Sequence, residues 1–557
     1  MRKNLIFILS ICTALGFSSC SKMGSLTANN FTITPNPLET KGGQVPVTIN
    51  GTFPEKYMKK NAVVTVIPEL RYGNGQVAQG VSTTFQGEKV MGNDQMVSYR
   101  LGGRYTMKTT FTYLPDMQKS DMYLTFAAKR GKKKVNIPAV KVATGVIATS
   151  ELYKNLLLSD GGCLAPDSFQ RVNAMKQEAN IRFLVNQANL RQSELKNHSV
   201  KEFIAMLKRI NASREKMNIR NVEIQAYASP EGGYSFNDKL ANKRQNTSEG
   251  YVKSQLKKAR VETGVDAHYT AQDWEGFQKL VQVSNIQDKD GILRVLSMYK
   301  DPEQREQQIR NMSEAFRELA NGILPELRRS RLIINYETIG RSDEQIKAQY
   351  AKDATKLSAD EILYYASLVN DMAQKEEIYK RAASYYDKDY RAYNNLATLS
   401  FMKGDEMEAT RYLEQALRVN PQAPEALANL GILELHNGNW KEAEADIAKS
   451  LGEQNVNIAI GSLNLAKGNY AQAEKDFEGV ISNSAALAQL LNKNYALAAA
   501  TLDKVQHPNA MTDYLHALVA ARRGNKFAAE SYLKEAIKKD ASLKEYADKD
   551  IEFTFLR

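Results

Sequence analysis

From Ser358 onward this chain repeats itself. Gly404-Asp405 and Gly438-Asn439 stand 34 residues apart, Gly468-Asn469 follows after a further 30, and Gly524-Asn525 comes later still. Around the first pair lie Tyr393, Leu396, Ala397, Gly404, Ala409, Leu413, Ala416 and Pro421, and six of these positions recur as Leu427, Leu430, Gly431, Gly438, Ala443 and Ile447. A period of this length constrains the fold severely, because each unit is too small to bury its own apolar face and must stack on its neighbours. Each Gly-Asx pair heads a second helix. Small residues let two antiparallel helices approach, large ones fill the space between them, and the proline ends the unit.

The pattern resembles the tetratricopeptide (TPR) repeat. Ala466 to Val480 and Leu515 to Ile537 are recognisable further copies, Ala485 to Val505 is a degraded one, and Glu361 to Ser384 is a starting unit. The resemblance implies an all-α solenoid over residues 358–545 whose concave groove holds a peptide or protein partner. Residues 546–557, with Phe553, Phe555 and Leu556, cap the last repeat or occupy the groove.

The chain opens with Arg2 and Lys3, followed by an apolar stretch from Leu5 to Phe17. That stretch is too short to cross a hydrocarbon layer of about 30 Å and reads as a secretory signal. It closes on Phe17-Ser18-Ser19-Cys20, which resembles a bacterial lipobox with Phe17 in place of the usual aliphatic residue. The resemblance implies a signal peptide over residues 1–19 and a mature chain lipidated at Cys20, anchored stably because it carries more than one acyl chain. The alternative is a plain signal peptide with an incidental cysteine. Ser21-Lys22-Met23-Gly24 carries no acidic residue, which favours an outer-membrane anchor facing the periplasm, with residues 20–29 as a linker.

Composition sets the remaining bounds. With 43% hydrophobic and 25% charged residues the chain is ordinary folded protein, neither disordered nor polytopic. Its five histidines and three cysteines are scattered, so no metal site, cofactor or disulfide framework is expected; Cys12 leaves with the signal and Cys163 remains alone. The net charge of +12 divides unevenly, at −6 from Ser358 to the end and +18 before it. No nucleic-acid motif accompanies the surplus. Its densest runs, Lys129 to Lys134 and Arg328 to Arg331, read as solvated turns or helix ends.

Residues 30–149 read as strands. Val45, Val47, Ile49, Gly51 and Phe53 alternate with mostly polar neighbours, as do Tyr105, Met107, Thr109, Phe111 and Tyr113. Ala62 to Ile67 and Met122 to Ala127 are further candidates, with Gly/Asn turn clusters at Tyr72 to Gly75 and Met91 to Asp94. Several short strands in so few residues predict a β-sandwich acting as a spacer or docking module.

Between residues 165 and 340 the order is β-α-β: a strand over Asn180 to Leu184, a helix over Val200 to Met217 and a strand over Val222 to Ala228. The stretch from Ala226 to Arg244 then resembles the OmpA-like peptidoglycan-binding domain, matched at Tyr227, Gly232, Phe236, Asn237, Leu240 and Arg244. The final strands, Asp266 to Thr270 and Leu332 to Thr338, are separated by a helical insert at about 272–328, with residues 341–357 as a linker to the repeats.

The resemblance implies that Arg244 grips a carboxylate of a diaminopimelate residue, with Ser229, Glu231 and Asn237 as the other candidate peptidoglycan-binding residues. The family's aspartate, which holds the ammonium, is Ser229 here. Losing one charged hydrogen bond, about 1.5 to 3 kcal/mol, weakens binding roughly ten- to a hundredfold. Two readings stand side by side: Glu231 substitutes for the aspartate, or the fold is kept and the ligand is not.

Together these features predict a multidomain chain of β-sandwich, α+β OmpA-like domain and all-α TPR solenoid. The expected role is a non-catalytic, outer-membrane-anchored periplasmic scaffold, in contact with the membrane through Cys20, with peptidoglycan, and with an unidentified envelope protein at the TPR groove. The alternatives are a surface-appendage assembly factor and a pure peptidoglycan tether.

Overall fold

A computed structural model describes residues 23–286, 288–452 and 454–556 of the chain. The expected signal segment and Cys20 lie outside these residues. The chain forms two compact units, one joining residues up to Asp167 with those from Ala366 onward, the other spanning Ser168–Tyr365. Among the described residues no helix is long and apolar enough to cross a membrane.

The first unit begins with two facing β-sheets. In the smaller, Gln44–Phe53 lies between Phe31–Thr34 and Gly103–Thr112. In the larger, the order is Leu38–Glu39, Val140–Ile147, Ser120–Arg130, Ala62–Tyr72, Thr83–Gly87 and Gln95–Val97. The period-two residues Val45, Val47, Ile49 and Phe53 of one sheet and Val64, Val66, Leu70, Met122 and Leu124 of the other fill a single core, which is the layer architecture alternation predicts. Met23 and Leu26 are buried in this core. Residues 23–29 therefore belong to the domain and are not the expected linker.

The helical hairpins of the same unit pair Tyr390–Lys403 with Glu406–Val419, Pro424–His436 with Trp440–Lys449, Asn457–Ala466 with Tyr470–Asp476, Asn483–Leu491 with Tyr495–Leu502, and Ala510–Arg522 with Lys526–Lys539. Met372–Tyr385 precedes them. Gly404, Gly438, Gly468 and Gly524 turn each first helix into its second at φ of 72°, 80°, 76° and 76°, the left-handed region open to glycine. In the degraded copy Lys493 holds that conformation at φ 67°, which is why the motif fades there while the hairpin persists. Phe553 packs edge-on against Tyr514, with ring centroids 5.5 Å apart, so the C-terminal residues cap the last hairpin.

The second unit is built on a four-stranded sheet ordered Val172–Arg182, Arg329–Ile339, Met217–Tyr227, Gly264–Thr270. Helices His198–Ala212 and Tyr234–Ala259 contribute Phe203, Leu207 and Val252 to a core shared with Ile181, Ile224, Leu332 and Ile334. The helix expected to reach Met217 stops at Ala212, and Met217 already opens the next strand. The first strand begins at Val172, earlier than expected, because its leading half is an edge segment paired to one neighbour and exposed on both faces, which erases alternation. Between Thr270 and Arg329 the helical insert has a core of its own, with Phe277, Val281, Ile292, Leu296 and Leu319.

Two boundaries change. Residues 341–357 are not a linker: Ser342 and Gln345 form a capping box for helix Asp343–Asp353, and Ile346 is buried. Most of helix Ala359–Ser367, expected to open the repeats, belongs to this α/β unit, where Arg341 pairs with Glu361 at 2.7 Å and the Tyr364 hydroxyl donates to Asp343 at 2.9 Å.

Candidate functional site

The first helix of a hairpin contributes side chains to the inner face of such an array, and two of these helices carry buried amides. Asn394 and Asn395 on Tyr390–Lys403 and Asn429 on Pro424–His436 are all within 2% of full burial. Asn395 and Asn429 occupy the same repeat position, 34 residues apart. A buried amide is tolerated only when its donors and acceptor are matched. Here they are matched by a strap of main chain from the same unit.

Asn395 accepts from the Ala165 amide at 2.8 Å and donates to the Ala165 carbonyl at 3.1 Å. Asn429 accepts from the Cys163 amide at 2.6 Å and donates to its carbonyl at 2.8 Å, and Asn394 donates to that same carbonyl at 2.9 Å. Each pairing imitates the exchange between neighbouring β-strands. Upstream, the Asp160 carboxylate accepts the Ser484 amide at 2.7 Å at the start of helix Asn483–Leu491. Downstream, Arg391 donates to the Asp167 carbonyl at 2.8 Å.

Residues 149–167 thus run along the inner face of the array from its C-terminal cap, where Thr149 donates to Glu552 at 2.9 Å, back to its first hairpin. Leu156 and Leu157 are buried on the way. Gly162 is required: a Cβ there would lie 2.4 Å from the Asn429 oxygen. Cys163 is fully buried, and burial pushes its thiol up to about 12, so it stays protonated and unreactive.

In the α/β unit the structure brings Ser229, Glu231, Asn237 and Arg244 into one region, but ties them to the fold. Arg244 is 1% exposed. Its guanidinium donates to the carbonyls of Gln187 (2.9 Å), Tyr227 (2.9 Å) and Leu184 (3.1 Å) and lies over the Phe183 ring. Burial, with the neighbouring Arg328 charge, lowers it to about 10. The guanidinium expected to face an incoming carboxylate is buried against main-chain carbonyls, which hold three of its five N–H groups.

Glu231, the expected substitute for the missing aspartate, accepts from Ser229 at 2.8 Å and from Arg328 at 2.7 Å. Asn237 donates to the carbonyls of Ser229, Glu231 and Gly232, and Glu306 of the insert accepts the Gly232 amide at 2.6 Å. Arg328 and Glu306 were not legible as members of this cluster. The basic run read as a solvated end instead opens a strand, with Arg328 on Glu231, Arg329 on Asp273 and Arg331 on Glu178.

No family model matches the chain. A curated relative, the photosystem I assembly protein Ycf3 of Cyanophora paradoxa, is 32% identical over 91 residues, 16% of this chain and 52% of the relative. The chain thus spans about half the length of that relative. Similar solved structures include a tetratricopeptide repeat protein from Parabacteroides merdae, at 22% identity over 38% of this chain and 91% of that one with TM-score 0.27. Pseudomonas aeruginosa PilF is 16% identical over 39% of this chain and 98% of its own, with TM-score 0.24. The repeated hairpins, left-handed turn glycines and 34-residue period decide the matter for this region. The helical array has the tetratricopeptide fold. It is joined to a sheet-rich N-terminal region in a multidomain chain.

Proposed function

We propose that this protein is a non-catalytic protein-interaction scaffold of the cell envelope, held at the outer membrane by lipid on Cys20, facing the periplasm and recruiting an envelope protein through its TPR array. One observation carries the reading: the inner face of the array holds an extended main chain through paired asparagine amides. That is a peptide-gripping surface, and no nucleic-acid partner is invoked. The α/β domain serves in this reading as an OmpA-like spacer. Its loop is closed by Arg328 and Glu306, which favours a retained fold over a retained wall ligand.

The test is mild crosslinking in intact cells, followed by purification of the tagged chain. A discrete envelope protein that disappears when the array is altered supports the scaffold. Recovery of peptidoglycan fragments alone would refute it and restore the wall tether. Labelling with radioactive palmitate, present in the native chain and absent in Cys20→Ala, tests the anchor.

A further inference from the structure

The groove that the scaffold reading assigns to a partner is already full. Its occupant makes the contacts a bound peptide would make, and their chemistry says what else would fit. At Cys163, Ala165 and Asp167 the array touches main-chain atoms, so it reads an extended backbone without regard to side-chain identity. Beyond Gly162, side chains are read by size. Cys163 and Ala165 point inward and are 0% and 4% exposed, whereas Leu164 between them is 50% exposed. Gly162 admits no Cβ without moving Asn429. One side chain is read as an acceptor, the Asp160 carboxyl, which takes the Ser484 amide at the start of helix Asn483–Leu491.

We propose that the strap Asp160–Asp167 is a resident competitor in the TPR groove, and that the external ligand is a segment of a partner protein with the same chemistry, turning at its glycines as Gly161 and Gly162 do at φ of 90° and 78° and meeting the asparagines beyond them. That chemistry is an acidic residue, then glycine, then small residues at alternate positions around a free one. This rests on the scaffold reading and deepens it. The buried leucines Leu156 and Leu157 keep the strap tethered beside the groove when its polar half lifts away. Tethering gives the strap an effective concentration of the order of millimolar, so a free peptide competes poorly until the strap is displaced. The array is therefore closed in its resting state, and access is set by opening of these eight or so residues rather than by the shape of an empty cleft.

The probe is a labelled synthetic peptide of residues 158–168 carrying Cys163→Ala, titrated into the full chain by fluorescence anisotropy. Gly162→Val and Ala165→Tyr each crowd the groove and expel the strap while the leucines stay anchored. Either variant is expected to bind the peptide at least tenfold more tightly than the unaltered chain, and adding Asn395→Ala with Asn429→Ala is expected to abolish that gain. If both variants keep the native circular dichroism and melting transition yet bind no better, the inference is overturned.

Native-state hydrogen exchange on the unaltered chain decides the matter should either variant misfold. The Cys163 and Ala165 amides are expected to exchange through local opening, faster than the helices that hold them; exchange only through global unfolding overturns the inference. Failure here leaves the crosslinking test of the scaffold untouched. Peptide binding without a crosslinked partner would sink the scaffold alone.

Discussion

Replacing Arg244 with alanine separates a structural arginine from a ligand-binding one. In the folded chain its guanidinium satisfies three carbonyls, those of Leu184, Gln187 and Tyr227, and fills the space over Phe183. Removing it takes a charged donor from all three, but Leu184 still accepts from the Gln187 amide and both residues are exposed, so water replaces the bond there. With one half-buried acceptor left at about 1 to 3 kcal/mol and the packing over Phe183 lost, Arg244→Ala is expected to cost the α/β unit about 2 to 4 kcal/mol. Lysine keeps the charge but cannot reach three diverging carbonyls, so Arg244→Lys is expected to lose more than half as much. The assay is urea denaturation of the full chain followed by tryptophan fluorescence. Trp274 reports on the insert of this unit and Trp440 on the array, so Trp440→Phe as background isolates the signal. A ligand-binding arginine would behave oppositely, with stability unchanged within about 0.5 kcal/mol and cosedimentation with purified cell walls abolished. That pair of results would refute the placement argued above.

Further outcomes follow from the same physical terms. Burial raises Asp550 to about 6 from its ordinary 3.8. The folded state therefore holds this proton more tightly, and the group's contribution to stability, full at low pH, is lost as pH rises between those values. At about 1.4 kcal/mol per pH unit of displacement, the ionised carboxylate burdens the fold by ~3 kcal/mol above pH 6. Asp550→Asn keeps one oxygen, which can stay on the Glu552 amide while its NH2 donates to the Tyr514 hydroxyl in place of accepting from it, so it should stabilise the chain at pH 7.5 relative to its effect near pH 4; parallel melting curves at both pH values would contradict this. The Cys163 thiol should react with Ellman's reagent only at the rate of strap opening or unfolding, whereas immediate stoichiometric reaction would show that it is accessible. At the turns, Gly438→Ala should destabilise by about 1 kcal/mol and Lys493→Gly should stabilise by a similar amount. Thermal melts showing the same sign for both would defeat the left-handed assignment.

The array and the paired sheets were legible because their periods are imposed by burial. Inward residues of Gln44–Phe53 alternate since one face meets a core, and the 34-residue period survives because each hairpin repeats one interface. The strap was not legible. Gly161 to Pro166 has no period of its own, and its partners lie more than 200 residues away on another element. A signal did exist, in that Asn395 and Asn429 share a repeat position where a polar residue is unexpected unless something meets it. Arg244 was legible as a residue and not as a role, since a sequence cannot distinguish an arginine that presents its guanidinium to solvent from one that spends it on its own carbonyls. Nor could it reveal that Arg328 neutralises Glu231, because the two are 97 residues apart.

The direction in which the strap crosses the groove bears on how the chain is assembled. Residues 149–167 are synthesised before any helix of the array, so the solenoid is built around a core that is already present. The loop closed by the Ala165–Asn395 contact spans 230 residues, that of Cys163–Asn429 266, that of Asp160–Ser484 324, and that of Thr149–Glu552 403. Each hairpin emerging in turn meets the next stretch of strap back toward the N-terminus, so docking lengthens the enclosed loop by steps. Because closure entropy grows only slowly with loop length, the first contact bears most of that penalty and each later one adds little. The array then closes like a zipper whose slider starts at Asn395 and ends at the C-terminal cap, and a truncated chain would be left with its final leucines of the strap uncovered.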